Sequence, residues 1–174
     1  KEICLDGLGY VTPGSAGKLE STIAATGMAE GLAKSKSLTK LKVCEVKAED
    51  IAAVGRALGK NSSIVELVIE TPVQSPNCSM DEVATAIAEG VAENKTLQKL
   101  DMSRCRISQS GAEAIFGALR TNSCLVQLDL SSNSIGDSER IAEGIATLQK
   151  LNVNLCGITK KGGRAIGQAL ETSS

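Results

Sequence analysis

Two apolar rhythms alternate along this chain. Leu97-Gln-Lys-Leu100-Asp-Met102-Ser-Arg-Cys105-Arg-Ile107 returns as Leu125-Val-Gln-Leu128-Asp-Leu130-Ser-Ser-Asn133-Ser-Ile135. It returns again as Leu148-Gln-Lys-Leu151-Asn-Val153-Asn-Leu-Cys156-Gly-Ile158. Apolar and polar residues alternate at the centre of each line, which predicts a half-buried strand. Between the lines the period lengthens. Ile51, Val54 and Leu58, then Val83, Ile87 and Val91, then Ile115 and Leu119, Ile141 and Ile145, and Ile166 and Leu170 recur at helical spacing. Ser79-Met-Asp-Glu82 and Ser110-Gly-Ala-Glu113 read as capping boxes at helix starts. Asn61, Asn94 and Asn122 stand where helices stop and a left-handed residue is useful. Each unit therefore reads strand, turn, helix, turn.

The first apolar position of the unit falls at Leu38, Ile64, Leu97, Leu125 and Leu148, and a weaker strand precedes them at Ile3 and Leu5. Such units cannot bury their apolar faces alone and gain stability by stacking. The expected architecture is an α/β solenoid of about five to six repeats, a right-handed β-α horseshoe segment. Its parallel sheet lies on the concave side and its helices on the convex side, because a helix is wider than a strand. The reading treats residues 1–174 as one domain, with 1–37 a degenerate first repeat carrying an insertion and 38–174 the recognisable repeats. Two insertions interrupt the spacing, Gly7–Gly27 and the proline-bearing Thr71–Cys78. The short step from Leu125 to Leu148 implies a helix of two turns or fewer over Ile141–Ala146. No polar capping unit is legible at either end, so the ends are expected to be covered by a partner or by further repeats.

Composition sharpens this picture. Apolar residues make up 42% of the chain but aromatics only 1%, so the core must be aliphatic. A net charge of −1 argues against nucleic acid as the partner. No apolar run approaches the roughly 18 residues of a membrane span, so no membrane insertion is expected. Six cysteines would permit a disulfide framework. However, Cys105 and Cys156 fall in the turn position that Asn133 fills in its own repeat, Cys4 and Cys44 fall within strands, and no Cys-x-x-Cys pair occurs. Reduced thiols and a cytoplasmic setting follow as the expectation.

Catalytic chemistry has little to stand on. The chain has no histidine, which removes Ser-His-Asp and Cys-His pairs and the common zinc patterns. No phosphate-loop motif is present, and neither metal nor cofactor is implied. Gly162-Gly163 reads as a helix-start feature, and the acids at Glu49, Asp50, Asp81 and Glu82 suit the positive ends of helices. The protein is expected not to be an enzyme. Function is better sought on the strand face turned away from the core. Counting the residues that flank the third apolar position and those just beyond gives Lys42, Glu45, Glu70, Asp101, Ser103, Arg104, Asp129, Ser131, Asn152 and Asn154. Glu70, Asp101 and Asp129 are expected to follow one another across neighbouring strands as an acidic strip that docks a basic protein. Tyr10, in the first insertion, and Arg106 would stand on the rim.

The segments Ile107-Ser-Gln-Ser-Gly-Ala-Glu-Ala-Ile115-Phe-Gly-Ala-Leu119-Arg-Thr-Asn122 and Ile158-Thr-Lys-Lys-Gly-Gly-Arg-Ala-Ile166-Gly-Gln-Ala-Leu170 carry a family resemblance. With units of this length, the chain resembles the ribonuclease-inhibitor-like class of leucine-rich repeats, well over Leu38–Leu170 and poorly over the first 37 residues. The resemblance implies a horseshoe that binds other proteins. It also admits two alternatives. One is a GTPase-activating array of the Ran type, for which Arg104 or Arg106 would be the candidate residue. The other is an actin-linked or axonemal structural module.

Overall fold

The computed structural model describes residues 1–6, 11–12, 23–44, 48–70, 80–138 and 140–172. Strands and helices alternate: β1 (Glu2–Asp6), β2 (Val11–Thr12), α1 (Ile23–Lys34), β3 (Lys40–Cys44), α2 (Ala48–Lys60), β4 (Glu66–Glu70), α3 (Asp81–Glu93) and β5 (Lys99–Asp101). They continue as α4 (Gln109–Leu119), β6 (Gln127–Asp129), α5 (Ile141–Gly144), β7 (Lys150–Asn152) and α6 (Lys160–Thr172). The strands form one sheet in the order β2-β1-β3-β4-β5-β6-β7. All neighbours are parallel except β2, which pairs antiparallel with β1. The solenoid expected from the repeats is therefore present, including the clipped helix α5. Two elements escaped the sequence pattern, α1 and β2. Strand β2 lies in the first insertion and covers the edge of β1, where no capping unit was legible.

Register explains the core. Leu41, Leu67, Leu100, Leu128 and Leu151 stand abreast on successive strands and point toward the helices. The first four of these leucines are at most 2% exposed. Each such side chain contributes about 1.5–3 kcal/mol by leaving water. The helices supply the opposing layer with Ile51, Leu58, Val83, Ile87, Ile115 and Leu119, together with the buried aromatic ring of Phe116. Helix packing is close enough to require glycine at one crossing: a Cβ on Gly55 would lie 2.6 Å from the Ala86 carbonyl oxygen. In the last repeat the same leucine position, Leu151, is only half-buried, and Leu170 is 58% exposed.

The helix-end asparagines work differently from the expectation. None of Asn61, Asn94 or Asn122 adopts a left-handed backbone; Asn94 is extended, with φ −71° and ψ 140°. Instead their side chains are buried and stitch each repeat to the one before. Asn94 Nδ2 donates to the Leu58 and Asn61 carbonyls at 2.7 and 2.9 Å, while Oδ1 accepts from the Thr96 and Leu97 N–H groups at 2.8 and 2.6 Å. Asn122 repeats this one unit on, donating to Val91 and Asn94 and accepting from Cys124 and Leu125. Asn61 does the same one unit earlier, with Leu32, Ser35, Ser63 and Ile64.

Helix starts also differ from the capping-box reading. The N-cap of α4 is Ser108, whose hydroxyl accepts from the Ser110 N–H at 3.2 Å, so Ser110 lies inside the helix. At α3 the N-cap is Met80, with no side-chain cap bond, and Ser79 lies outside the described residues. The acid at a helix start reaches forward into the next repeat. Asp81 Oδ1 accepts the Ser108 N–H at 2.8 Å, and its Oδ2 accepts the hydroxyls of Ser108 and Ser110. Asp137 holds Thr159 in the same way through its N–H at 2.7 Å and its hydroxyl. Gly111 is required beside this latch, since a Cβ there would lie 2.6 Å from Asp81 Oδ1.

Candidate functional site

Strand parity turns two columns of side chains away from the helices. Lys40, Glu66, Lys99, Gln127 and Lys150 stand abreast, and two residues on stand Lys42, Val68, Asp101, Asp129 and Asn152. Ser103, Ser131 and Asn154 follow in the turns. The expected acidic strip is therefore shorter than the sequence suggested. Asp101 and Asp129 are neighbours, but Asp101 stands beside Val68, and Glu70 is paired with Cys44 two residues further on. The reason is that β4 and β5 align by Leu67 and Leu100, and counting from those leucines leaves Glu70 one pleat beyond Asp101. Glu70 is instead bridged to Lys42 at 2.9 Å and accepts from the Cys44 thiol at 3.5 Å. The Lys42 hydrogen bond holds its carboxyl below the usual range.

The two halves of this open face are electrically unlike. Toward the N-terminus the charges neutralise one another: Lys40 bridges Glu2 at 3.5 Å and Glu66 at 3.3 Å, alongside the Lys42–Glu70 pair. The Glu66 hydrogen bond leads the causes that raise Lys40 above its ordinary value. Across β5–β7, Lys99, Lys150, Asp101 and Asp129 take part in no salt bridge among the described residues. A groove of about 310 Å³ crosses β4–β7 here, lined by both columns. The column of Glu66, Lys99, Gln127 and Lys150 was missed by counting only the flanks of the third apolar position. The same parity rule, applied two residues earlier, finds it.

The carboxylates also have local duties. Asp101 Oδ1 accepts the N–H of Ser103 at 2.9 Å, Asp129 Oδ1 that of Ser131 at 2.8 Å, and Asn152 Oδ1 that of Asn154 at 3.2 Å. The same side-chain turn thus closes three successive strands, once with an amide in place of an acid. Asp129 additionally receives the Ser131 hydroxyl at 2.7 Å and the Asn152 amide at 2.8 Å. Burial pushes the Asp129 carboxyl up, and these bonds outweigh it and hold it below the usual range. Beyond the turn, Arg104, Ser132 and Leu155 occupy equivalent left-handed positions with φ 57°, 58° and 55°, and Arg106 is left-handed at φ 54°. Such backbone costs about 1–2 kcal/mol for a residue with a Cβ. It is held by stacking: Arg104 N–H donates to the Ser131 carbonyl at 2.9 Å and Ser132 N–H to Asn154 at 2.8 Å. Arg104 and Arg106 are exposed on this rim. Glu45 and Tyr10, both predicted to join the site, lie outside the described residues, as does the Thr71–Cys78 insertion.

Below the turns the buried Cys105 and Cys156 behave as polar spacers. Cys105 Sγ donates toward the Ile69 carbonyl at 3.2 Å, and Cys156 Sγ toward Leu130 at 3.0 Å, where Asn133 Nδ2 meets Met102 at 2.9 Å. Burial pushes the Cys156 thiol up, away from reactivity. Among the described residues, Cys44, Cys105, Cys124 and Cys156 form no disulfide. No group of three His, Cys, Asp or Glu side chains among them is placed to hold a metal ion. No described helix is long and apolar enough to cross a membrane.

The repeats match a family profile described as a Leucine Rich repeat over residues 93–116, 121–138 and 145–167. Among curated relatives, the chain is 30% identical over 128 residues to NACHT, LRR and PYD domains-containing protein 12 of Mus musculus, covering 70% of this chain and 12% of that protein. It is 27% identical over 129 residues to the ribonuclease inhibitor of Sus scrofa, covering 70% of this chain and 27% of that one. The chain thus spans well under a third of either relative. A solved structure of Leiomodin-1 Actin-Binding Site 2 superposes with a TM-score of 0.58 at 23% identity, covering 74% of each chain, which speaks to the fold alone.

Proposed function

As a member of the ribonuclease-inhibitor-like leucine-rich repeats, this chain is one for which we propose a binding function: a non-enzymatic scaffold that docks another protein on its open strand face. The observation that carries this reading is the division of labour across the sheet. One face is spent on the core, while the other presents registered side chains, mostly polar, over a groove of about 310 Å³ that none of the described residues covers. Rigid repeats that display variable turns are a common way to build a binding surface. One relative is named for inhibiting ribonuclease, which is itself a protein target. Lys42, Glu70, Asp101, Ser103, Arg104, Asp129, Ser131, Asn152 and Asn154 make up the described docking face, with Arg106 on its rim. Thiols that form no disulfide with one another among the described residues fit a reducing, cytoplasmic setting.

The test is a crosslinking capture from source cells, comparing wild type with the Asp101→Asn/Asp129→Asn double variant. Asparagine already fills the same turn at position 152, so the variant removes two charges while keeping the turn acceptors. A partner lost with the variant, at unchanged helicity, places docking on this face. A partner captured in equal yield moves the site elsewhere and overturns the reading.

A further inference from the structure

The groove over β5–β7 is neither acidic nor basic as a whole. One wall carries Lys99, Gln127 and Lys150 in register, and the other carries Asp101, Asp129 and Asn152. The walls stand two residues apart along each strand, roughly 7 Å, and the columns advance about 4.8 Å per strand. Two features show that these charges face outward. The N-terminal half of the same sheet face settles its own charges through Lys40 with Glu2 and Glu66, and Lys42 with Glu70. The C-terminal half leaves Lys99 and Lys150 without an ion pair among the described residues, although Asp101 stands on the strand of Lys99 and Asp129 on the strand beside Lys150. Asp101 and Asp129 also stand directly side by side, so their like charges are concentrated on one wall.

Resting on the docking reading above, we infer that the occupant of this groove is a charge-split helix of a partner protein. Its axis runs across the strands, with a basic flank against Asp101 and Asp129 and an acidic flank against Lys99 and Lys150. A helix suits the columns because side chains three or four residues apart lie about 5–6 Å from one another, close to the strand spacing. An extended chain laid the same way would space its same-side residues at roughly 7 Å and fall out of step within two strands. Complementary walls of opposite sign fix the direction of the helix as well as its position, since reversing it end for end exchanges the flanks.

Three labelled, lactam-stapled helical peptides of equal length test this by fluorescence anisotropy: one split with arginine and glutamate flanks, one with arginine on both flanks, and one with glutamate on both. The split peptide is expected to bind the wild-type chain about tenfold or more tightly than either uniform peptide, with the advantage shrinking as salt is raised. In Lys99→Glu/Lys150→Glu the preference is expected to pass to the all-arginine peptide. Equal binding of the split and all-arginine peptides to wild type, or an unchanged ranking in the lysine variant, overturns the inference. So does failure of all three peptides to bind at millimolar concentration. These outcomes leave the scaffold reading standing if the captured cellular partner is still lost with Asp101→Asn/Asp129→Asn, and they fall together with it if that partner is retained.

Discussion

The two edges of the sheet are fastened by different chemistry. Where helices hand over to strands, Asn61, Asn94 and Asn122 each donate to two carbonyls of the preceding repeat and accept two N–H groups of their own turn. At the opposite edge, where strands end, the equivalent position holds Cys105, then Asn133, then Cys156. A thiol has one hydrogen and is a weak donor, so it links the repeats with a fraction of what an amide supplies. The helix-end edge is thus a uniform ladder that sets the stacking. The strand-end edge is held more loosely, and its turns carry the left-handed residues and the outward side chains of the candidate site. The scaffold is strict on one edge and permissive on the other, and the proposed docking residues lie on the permissive side.

The largest test strikes what both edges serve. Leu128→Asp places a carboxylate in the shared core, where Leu128 is 2% exposed, and is expected to abolish the cooperative thermal transition, with a cost above about 4 kcal/mol. A normal melting curve for this variant would show that the register is wrong. Next comes the contrast between the edges. Asn94→Ala leaves two N–H groups and two carbonyls without their partner, each costing about 1–3 kcal/mol if no water reaches it. Chemical denaturation is expected to show a loss of at least about 3 kcal/mol. Cys105→Ala, at the permissive edge, is expected to lose about 1 kcal/mol or less. Equal losses for the two variants would erase the distinction between the edges.

The Asp81 and Asp137 latches add a dependence on pH. Burial pushes the Asp81 carboxyl up, but the bonds from Ser108, Ser110 and Gly111 outweigh it and leave it below its ordinary value. The Thr159 hydroxyl is the largest cause lowering Asp137. For a carboxyl whose folded pKa is depressed, the stabilisation is complete above the unfolded pKa, near 4. It is lost as pH falls through the folded value. Melting temperature is expected to drop below about pH 4 in wild type, and Asp81→Asn is expected to flatten that drop. An unchanged acid profile in the variant would show that the latch contributes nothing.

The sequence made the parallel strands and the five later helices, the clipped α5 among them, legible because stacking enforces the apolar period at every unit. It did not reveal α1, whose residues Ile23–Lys34 carry few branched apolar positions, or β2, whose two residues hold no pattern. The helix-end ladder was visible as three asparagines, yet its role was not. An asparagine that accepts a left-handed turn and one that reaches back into the preceding repeat have the same spacing, and only the packed neighbour distinguishes them. The acidic strip was half legible: Asp101 and Asp129 are neighbours, but the register that separates Glu70 from them depends on which leucines align across β4 and β5. Lys99 and Lys150 needed only a fuller use of strand parity.

The smallest expected effect is the most useful to the functional reading. Asp101 and Asp129 each close a turn with one carboxylate oxygen, and Asn152 closes the equivalent turn with an amide oxygen. The turn therefore requires an acceptor but not a charge. Asp101→Asn/Asp129→Asn should shift stability by no more than about 0.5 kcal/mol in denaturant titrations. It relieves the repulsion of two adjacent carboxylates and gives up the charge-assisted bond from Asn152. A loss several times larger would show that the carboxylates are held for the turns themselves, and partner loss in that variant would then report unfolding rather than docking. A near-zero shift separates the two roles: the scaffold is indifferent to these charges, and any binding lost with them belongs to the open face.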